Sequence, residues 1–260
     1  MRITLAQSII IPGKPANNLL NALPMISQAS DDTSDLILFP ELWTSGYDLQ
    51  GKDIAIIARE NQECMPELIK ISREKRITIA GSMILREGSN FYNAFTIIYP
   101  DGSEPLTYQK IHLFRLMYED RWFSPGSKLV TGQIANAKIG LATCYDLRFP
   151  VMFTRLMEKG VSLILLCAEW PTSRIDQWLT LLTARAMENQ LFVAAVNTVG
   201  ILGNEMFGGC STVIDPMGYP LVMASNNKQE IFHVEIELEQ VDVVREEFPT
   251  ITERRPDIYG

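Results

Sequence analysis

Three short stretches of this sequence end an apolar run on a residue able to move a proton, hold a negative charge or attack a carbonyl carbon. In Leu36-Ile37-Leu38-Phe39-Pro40-Glu41-Leu42-Trp43 a strand-like run meets Pro40 and delivers a carboxylate among apolar and aromatic neighbours. Such surroundings raise a glutamate towards the range of a general base or acid working near neutrality. The plainer reading is that Glu41 caps a turn or pairs with a surface lysine. In Gly140-Leu141-Ala142-Thr143-Cys144-Tyr145-Asp146-Leu147-Arg148-Phe149-Pro150 the apolar run stops at Cys144, a few residues before a helix. A strand-to-helix corner exposes its side chain and leaves backbone N–H groups free beside it, so Cys144 is a candidate nucleophile with half an oxyanion hole attached. The alternative is a cysteine that packs as a small hydrophobe. The third stretch, Tyr108-Gln109-Lys110-Ile111-His112-Leu113-Phe114, brings a lysine out of a strand amid aromatic and branched apolar residues. Taken singly, Lys110 reads as a solvated surface residue and His112 as a structural histidine. Taken together, Glu41, Lys110 and Cys144 supply a base, a cation for a developing oxyanion and a nucleophile.

The rest of the composition narrows the chemistry. The chain has two histidines, His112 and His233, with no HExxH cluster, which leaves a His-ligated catalytic metal without support. No G-x-S-x-G elbow is present. The four cysteines, Cys64, Cys144, Cys167 and Cys210, lie far apart with no CxxC pair, so neither a disulfide framework nor a zinc ribbon is expected. Cys64, Cys167 and Cys210 default to packing. A net charge of −8 makes non-specific attraction to a phosphate backbone repulsive overall, and nucleic acid is not an expected partner. No apolar run approaches the ~20 residues that span a bilayer, and the start carries no secretory pattern, so no membrane partner is expected and the chain reads as cytoplasmic.

The elements that must position these residues follow from the apolar patterning. Strands are expected at Ile3 to Gln7, Leu36 to Phe39, Ile77 to Met83, Ala94 to Tyr99, Ile139 to Cys144, Leu163 to Ala168, Phe192 to Asn197, Thr212 to Asp215, Leu221 to Ala224 and Ile231 to Ile236. Helices are expected at Asn17 to Ala29, Cys64 to Arg76, Pro150 to Lys159 and Arg174 to Gln190, the last with Ile175, Trp178, Leu179, Leu182 and Ala186 at helical spacing. The order β-α-β-α followed by a hairpin occurs twice. The hairpin turns are Pro100-Asp101-Gly102-Ser103 and Asp215-Pro216-Met217-Gly218. Two similar halves without a Gly/Ser/Pro-rich linker predict a single 1–260 domain of two facing sheets with helices outside. A single doubly wound sheet is the competing architecture.

With these residues in place, the chain resembles the nitrilase superfamily of carbon-nitrogen hydrolases over essentially its whole length. Phe39-Pro40-Glu41-Leu42 is similar to that family's first motif, Lys110-Ile111-His112-Leu113-Phe114 to its second, and Thr143 through Pro150 to its third. Glu119 ahead of Ser124-Pro125-Gly126, the run Ala184-Arg185-Ala186-Met187-Glu188-Asn189-Gln190, and Arg254-Arg255-Pro256-Asp257-Ile258-Tyr259 match further. The resemblance implies a four-layer αββα sandwich of two pseudo-symmetric halves, usually paired as a homodimer, with the tail from about 248 to 260 crossing to the partner. It implies Glu41, Lys110 and Cys144 as the triad, Glu119 as a second active-site glutamate, and the Tyr145 backbone N–H beside Lys110 at the oxyanion. No metal or organic cofactor is implied.

Leu113-Phe114-Arg115-Leu116-Met117, Glu169-Trp170-Pro171 and Arg185-Ala186 are most similar to bacterial omega-amidases, which remove ammonia from amides of 2-oxo dicarboxylic acids. A small amide is therefore the expected partner, Arg115 and Arg148 the candidates for a substrate carboxylate, and Trp170 a pocket residue. Arg148 could instead pair with Asp146. Glu169 stands where a neutral residue is expected: its charge could repel an anionic substrate or select a cationic one, or it could pair with Arg148 or Arg174. Hydrolysis of N-carbamoyl or other aliphatic amides, and a non-catalytic binding module on the same fold, are the alternatives.

Overall fold

The computed structural model describes residues 1–47, 51–202 and 205–259. The first half runs β1 (Arg2–Gln7), α1 (Pro15–Asp31), β2 (Leu36–Leu38), α2 (Ile54–Lys75) and β3 (Thr78–Glu87), then the antiparallel strands β4 (Asn90–Ile98) and β5 (Leu106–Gln109). After β6 (Thr131–Ile134) the second half repeats this as β7 (Ala137–Thr143), α3 (Pro150–Glu158), β8 (Leu163–Ala168), α4 (Ile175–Asn189) and β9 (Phe192–Asn197). A hairpin of β10 (Val199–Leu202) and β11 (Glu205–Gly208), then β12 (Thr212–Ile214), β13 (Pro220–Met223), β14 (Glu230–Glu235) and α5 (Gln240–Glu247) complete it, with one short helix near the end.

Among the described residues there are two six-stranded sheets, ordered β14-β1-β2-β3-β4-β5 and β13-β12-β9-β8-β7-β6. In each, three parallel strands (β1, β2, β3 and β7, β8, β9) are flanked on one side by one antiparallel strand and on the other by two. The two halves are thus topological copies, and the single doubly wound sheet is excluded.

Period-two patterning decides what each sheet face touches. Ile3, Leu5, Leu36 and Leu38 point between the sheets and join Leu141, Leu165 and Ala194 in one apolar core. Ala6 and Ile37, from the opposite face of the same strands, meet Ile26 of α1 and Leu68 of α2. Phe153 of α3 and Trp178 of α4 cover the second sheet. The result is the four-layer αββα sandwich.

The expected strands differ from the observed ones by a few residues at their ends, but several elements differ in substance. Helix α2 begins at Ile54, nearly three turns before the expected Cys64, because Asp53 caps it by accepting the Ala55 N–H at 2.8 Å. Pro66, which looks like a helix start, lies inside it. Strand β6, the β10–β11 hairpin and α5 had no expected counterpart.

The position of Glu41 is set by one contact in the first sheet. The chain leaving β2 folds back on β3: Phe39 N–H reaches the Ala80 carbonyl at 2.7 Å, Leu42 N–H the Ser82 hydroxyl at 2.8 Å, and Trp43 N–H the Ser82 carbonyl at 3.1 Å. So close an approach leaves no room for a side chain at Gly81, where a Cβ would stand 2.8 Å from Trp43 Cδ1 and 2.9 Å from Phe39 Cβ. Gly81→Ala must push this turn, and Glu41 with it, off β3. The expected cost is about 1–3 kcal/mol, typical of overpacking, read as a lower urea midpoint at unchanged slope. An unaltered midpoint would refute this account of the turn.

Candidate active site

Glu41, Lys110 and Cys144 follow the C-terminal ends of β2, β5 and β7, so two come from the first half and one from the second. The side chains of Glu41 and Lys110 are fully buried. Lys110 Nζ lies 2.8 Å from Glu41 Oε1, 2.8 Å from Glu119 Oε2 and 2.9 Å from the Tyr47 hydroxyl oxygen. Burial alone would discharge the ammonium, but the Glu119 and Glu41 carboxylates outweigh it and hold the lysine pKa well above its ordinary value. The backbone fixes Lys110 as firmly. Its N–H donates to the Asn93 carbonyl at 2.9 Å and its carbonyl accepts Gly126 N–H at 2.8 Å. Gly126 permits that approach, since a Cβ there would overlap the Gln109 carbonyl.

The two carboxylates are well supplied with donors. Glu41 Oε1 also receives the Tyr47 hydroxyl at 2.5 Å and Asn93 Nδ2 at 2.7 Å, while Oε2 receives Glu169 N–H at 3.0 Å. Glu119 Oε2 receives Phe114 N–H at 2.6 Å. Burial, then the Glu119 and Glu41 charges, hold the Tyr47 phenol far above its usual pKa and so keep it a donor.

Cys144 occupies a corner with φ +45°, a backbone conformation uncommon for a residue with a side chain. Strand β7 ends at Thr143, which caps a short 3-10 helix over Cys144–Arg148 through a capping box with Asp146. Tyr145 N–H falls in the first turn of that helix, with no carbonyl of the helix ahead of it. Burial, reinforced by the neighbouring Glu41 carboxylate, pushes the Cys144 thiol well up, so at rest it holds its proton. That arrangement suits a nucleophile that ionises only as its proton passes to a base.

Asp146 ties this corner to the lysine segment. Its buried carboxylate accepts Thr143 N–H at 2.9 Å and the Tyr108 hydroxyl at 2.7 Å, and it meets His112 at both backbone N–H (3.1 Å) and Nδ1 (2.7 Å). His112 stacks on Phe149 at 3.6 Å between centroids. Asp146 is therefore engaged by His112, not by Arg148 as one sequence reading had it, and His112 is placed as a structural group.

A narrow cleft opens at Cys144 between Phe114, Tyr145, Arg148, Trp170 and Arg174. Arg148 lies over the Trp170 ring at 4.9 Å and donates to Gln177 Oε1 at 2.7 Å; the Arg174 guanidinium stands 5.7 Å from the Phe114 ring. Neither arginine pairs with a carboxylate among the described residues. Arg115 does not line this pocket: its side chain is 85% exposed, 3.9 Å from Asp120 on the far side of Phe114. Glu169 contributes main chain, its carbonyl 3.8 Å from Cys144 Sγ. Its carboxyl turns inward towards Gly46, and both oxygens are buried without a well-formed hydrogen bond among the described residues. It pairs with neither Arg148 nor Arg174.

Sequence reasoning missed Tyr47, Asn93 and Arg174. Asn93 was detectable, because on β4 it shares the inward register of Phe95 and Ile97, where a polar side chain needs a partner. Tyr47 follows an irregular turn whose course no local pattern specifies. Cys167, though at a strand end, is sealed under Thr143 and pushed up by burial, and is no candidate nucleophile.

Comparison with known proteins adds three observations. A family model described as carbon-nitrogen hydrolase matches residues 2–246. A Bacillus subtilis protein named 2-oxoglutaramate amidase is 37% identical over 99% of this chain and 98% of its own, and the Escherichia coli K12 omega-amidase YafV is 33% identical over 83% and 82%. The solved structure of an amidase variant from Nesterenkonia sp. AN1, with the acetamide moiety of fluoroacetamide on its active-site cysteine, superposes at a TM-score of 0.87 and 26% identity, covering 100% of this chain and 95% of that one.

Asp146 offers a direct check on the geometry. Asp146→Asn keeps the shape but turns an NH2 group towards buried donors. The loss expected is about 1–3 kcal/mol for groups left unsatisfied, measured by chemical unfolding. A variant as stable as the parent would show that the four contacts do not hold this corner.

Proposed function

The chain belongs to the carbon-nitrogen hydrolase family, and on that premise we propose that it is an omega-amidase, a thiol-dependent enzyme that releases ammonia from the monoamide of a 2-oxo dicarboxylic acid. The observation that carries this reading is the buried cluster of Glu41, Lys110 and Glu119 beside Cys144, with donor-acceptor distances of 2.8 Å from the ammonium to each carboxylate. In the proposed reaction Glu41 takes the thiol proton as Cys144 Sγ bonds to the amide carbon. Lys110 and Tyr145 N–H hold the oxyanion. Collapse breaks the C–N bond as Glu41 gives its proton to nitrogen, and ammonia leaves. Water, deprotonated by Glu41, then attacks the thioester; the C–S bond breaks, the sulfur regains a proton, and the 2-oxo dicarboxylate is released. Glu119 keeps Lys110 charged and aimed. Every group in this scheme is a side chain or backbone N–H of the chain itself.

The substrate assignment rests on two supports. The B. subtilis relative bears the name of an enzyme for such a substrate. Within the pocket, Arg148 and Arg174 provide positive charge uncompensated by carboxylates, with Trp170 as the wall between them, which suits a substrate carboxylate distal to the amide.

The whole chain acts as one catalytic domain in this proposal, in the cytoplasm and as a homodimer. A reducing compartment suits an enzyme with four free thiols and a cysteine nucleophile. No helix among the described residues is long and apolar enough to cross a membrane. Exposed Val151, Met187, Phe248 and Ile258 offer apolar area on α3, α4 and the tail. The tail is held next to them by Arg254–Glu158 (2.7 Å) and by Gln190 on the Phe248 carbonyl (2.6 Å).

Two experiments test these statements. Ammonia release should be faster from 2-oxoglutaramate than from N-carbamoyl amino acids or cationic amides, and Cys144→Ala should fall below about one hundredth of parental turnover, since loss of a covalent nucleophile removes orders of magnitude. Preference for another amide would displace the substrate, and a working alanine variant the nucleophile. Sedimentation should give a dimer that a chain ending at Glu247 forms less well; an unchanged oligomer would remove the tail from the interface.

A further inference from the structure

The cluster at Cys144 contains three buried carboxyl groups and one ammonium. Glu41 accepts from Tyr47, Asn93, Lys110 and the Glu169 backbone, and Glu119 from Tyr47, Asn93, Lys110 and the Phe114 backbone. Glu169, 2% exposed, has no side-chain donor among the described residues, and only the Tyr47 backbone N–H approaches its carboxyl, short of a well-formed hydrogen bond. An ionised carboxylate that has lost its water and gained no well-placed donor is among the most expensive groups a protein can bury, and such a group keeps its proton instead. Two donor-rich carboxylates already face the one cation.

We propose that Glu169 works as a neutral carboxylic acid, so that the pocket carries no third negative charge against an anionic substrate. The substrate half of this statement rests on the omega-amidase reading; the protonation half does not. The groups facing the Glu169 carboxyl are Glu41 after β2, Lys110 after β5 and Glu119, with the Tyr47 backbone N–H directed at it, while Cys144 after β7 meets only the Glu169 main-chain carbonyl. Burial, then the Glu41 charge, lifts Glu169 well above the carboxylate range, and the opposing pull of Lys110 does not reverse it. The sequence position that looked like an added charge is thereby a neutral donor-acceptor group, in keeping with the neutral residue expected there. Charge in the outer pocket is left to Arg148 and Arg174.

Linkage gives a test with a sign. In the unfolded chain Glu169 ionises near pH ~4.3, whereas in the folded protein it stays protonated to higher pH. Its contribution to stability is whole below the unfolded value and falls as pH rises towards the folded one. Glu169→Gln removes that loss. The Tm of Glu169→Gln minus that of the parent should therefore grow steadily from pH 5 to pH 8; a gap that is constant or shrinks overturns the proposal. Glu169→Asn carries the same expectation should the glutamine variant fail to fold. A second arm compares kcat/KM for 2-oxoglutaramate and for its neutral methyl ester at pH 7. The two rates should change in step in Glu169→Gln. A selective gain of about tenfold or more for the anion, ~1.4 kcal/mol, would show that parental Glu169 is charged and overturn the proposal. If neither compound is a substrate, the omega-amidase reading falls while the Tm comparison still decides the protonation state.

Discussion

A single ammonium ion stripped of water, Lys110 Nζ, is the constraint around which this protein is arranged. Burying such a charge is worthwhile only where counter-charges and acceptors meet it in good geometry, and taking away one partner of such a group leaves an uncompensated charge worth about 3–5 kcal/mol. Glu41 and Glu119 meet that requirement from the end of β2 and from a short 3-10 helix over Glu119–Arg121. The remaining features serve to hold those two carboxylates still: the turn stitched to β3 over Gly81, the Phe114 N–H on Glu119, and Tyr47 and Asn93 bridging both acids. The same ion makes Glu41 useful. A carboxylate beside a fixed cation can take and return the thiol proton without a histidine to assist it.

Charge is distributed unevenly over the site, and the unevenness comes from backbone geometry. Donors converge on Glu41 and Glu119 because strand ends and a helical turn present free N–H groups to them. Glu169 directs its own N–H to Glu41 and receives no well-formed hydrogen bond among the described residues. Asp146 shows the same economy one layer away, where one buried carboxylate gathers four donors from both halves and sets the nucleophile's corner against the lysine segment.

Much of this architecture was legible in the residue pattern. Alternating apolar runs marked the strands to within a few residues, and strand ends delivered Glu41, Lys110 and Cys144 because a buried strand must surface at its end. The duplication of halves was readable from two matching hairpin turns. What escaped was information spread over distance. The start of α2, ten residues ahead of the expected one, depends on one capping aspartate, Asp53. Tyr47 enters the site through a turn shaped by β3, and Arg174 reaches the pocket only once β8 and α4 are packed. Arg115, plausible by motif, points away because the chain between Phe114 and Glu119 coils into a tight turn with its side chains outward.

The topological copying of β1, β2 and β3 by β7, β8 and β9 extends to the acids themselves. Glu41 follows β2 and Glu169 follows β8, the middle parallel strand in each half, so the donor-rich acid and the donor-poor acid are counterparts across an approximate two-fold relation. The proposed chemistry sits on the seam where the copies meet, Lys110 on one bank and Cys144 on the other. Each sheet could keep every internal hydrogen bond while sliding an ångström past its neighbour, and secondary structure would register nothing. The distance from sulfur to ammonium would change all the same. Turnover in this molecule is thus a ruler laid across the seam, more sensitive to how the halves dock than any measure of the halves themselves.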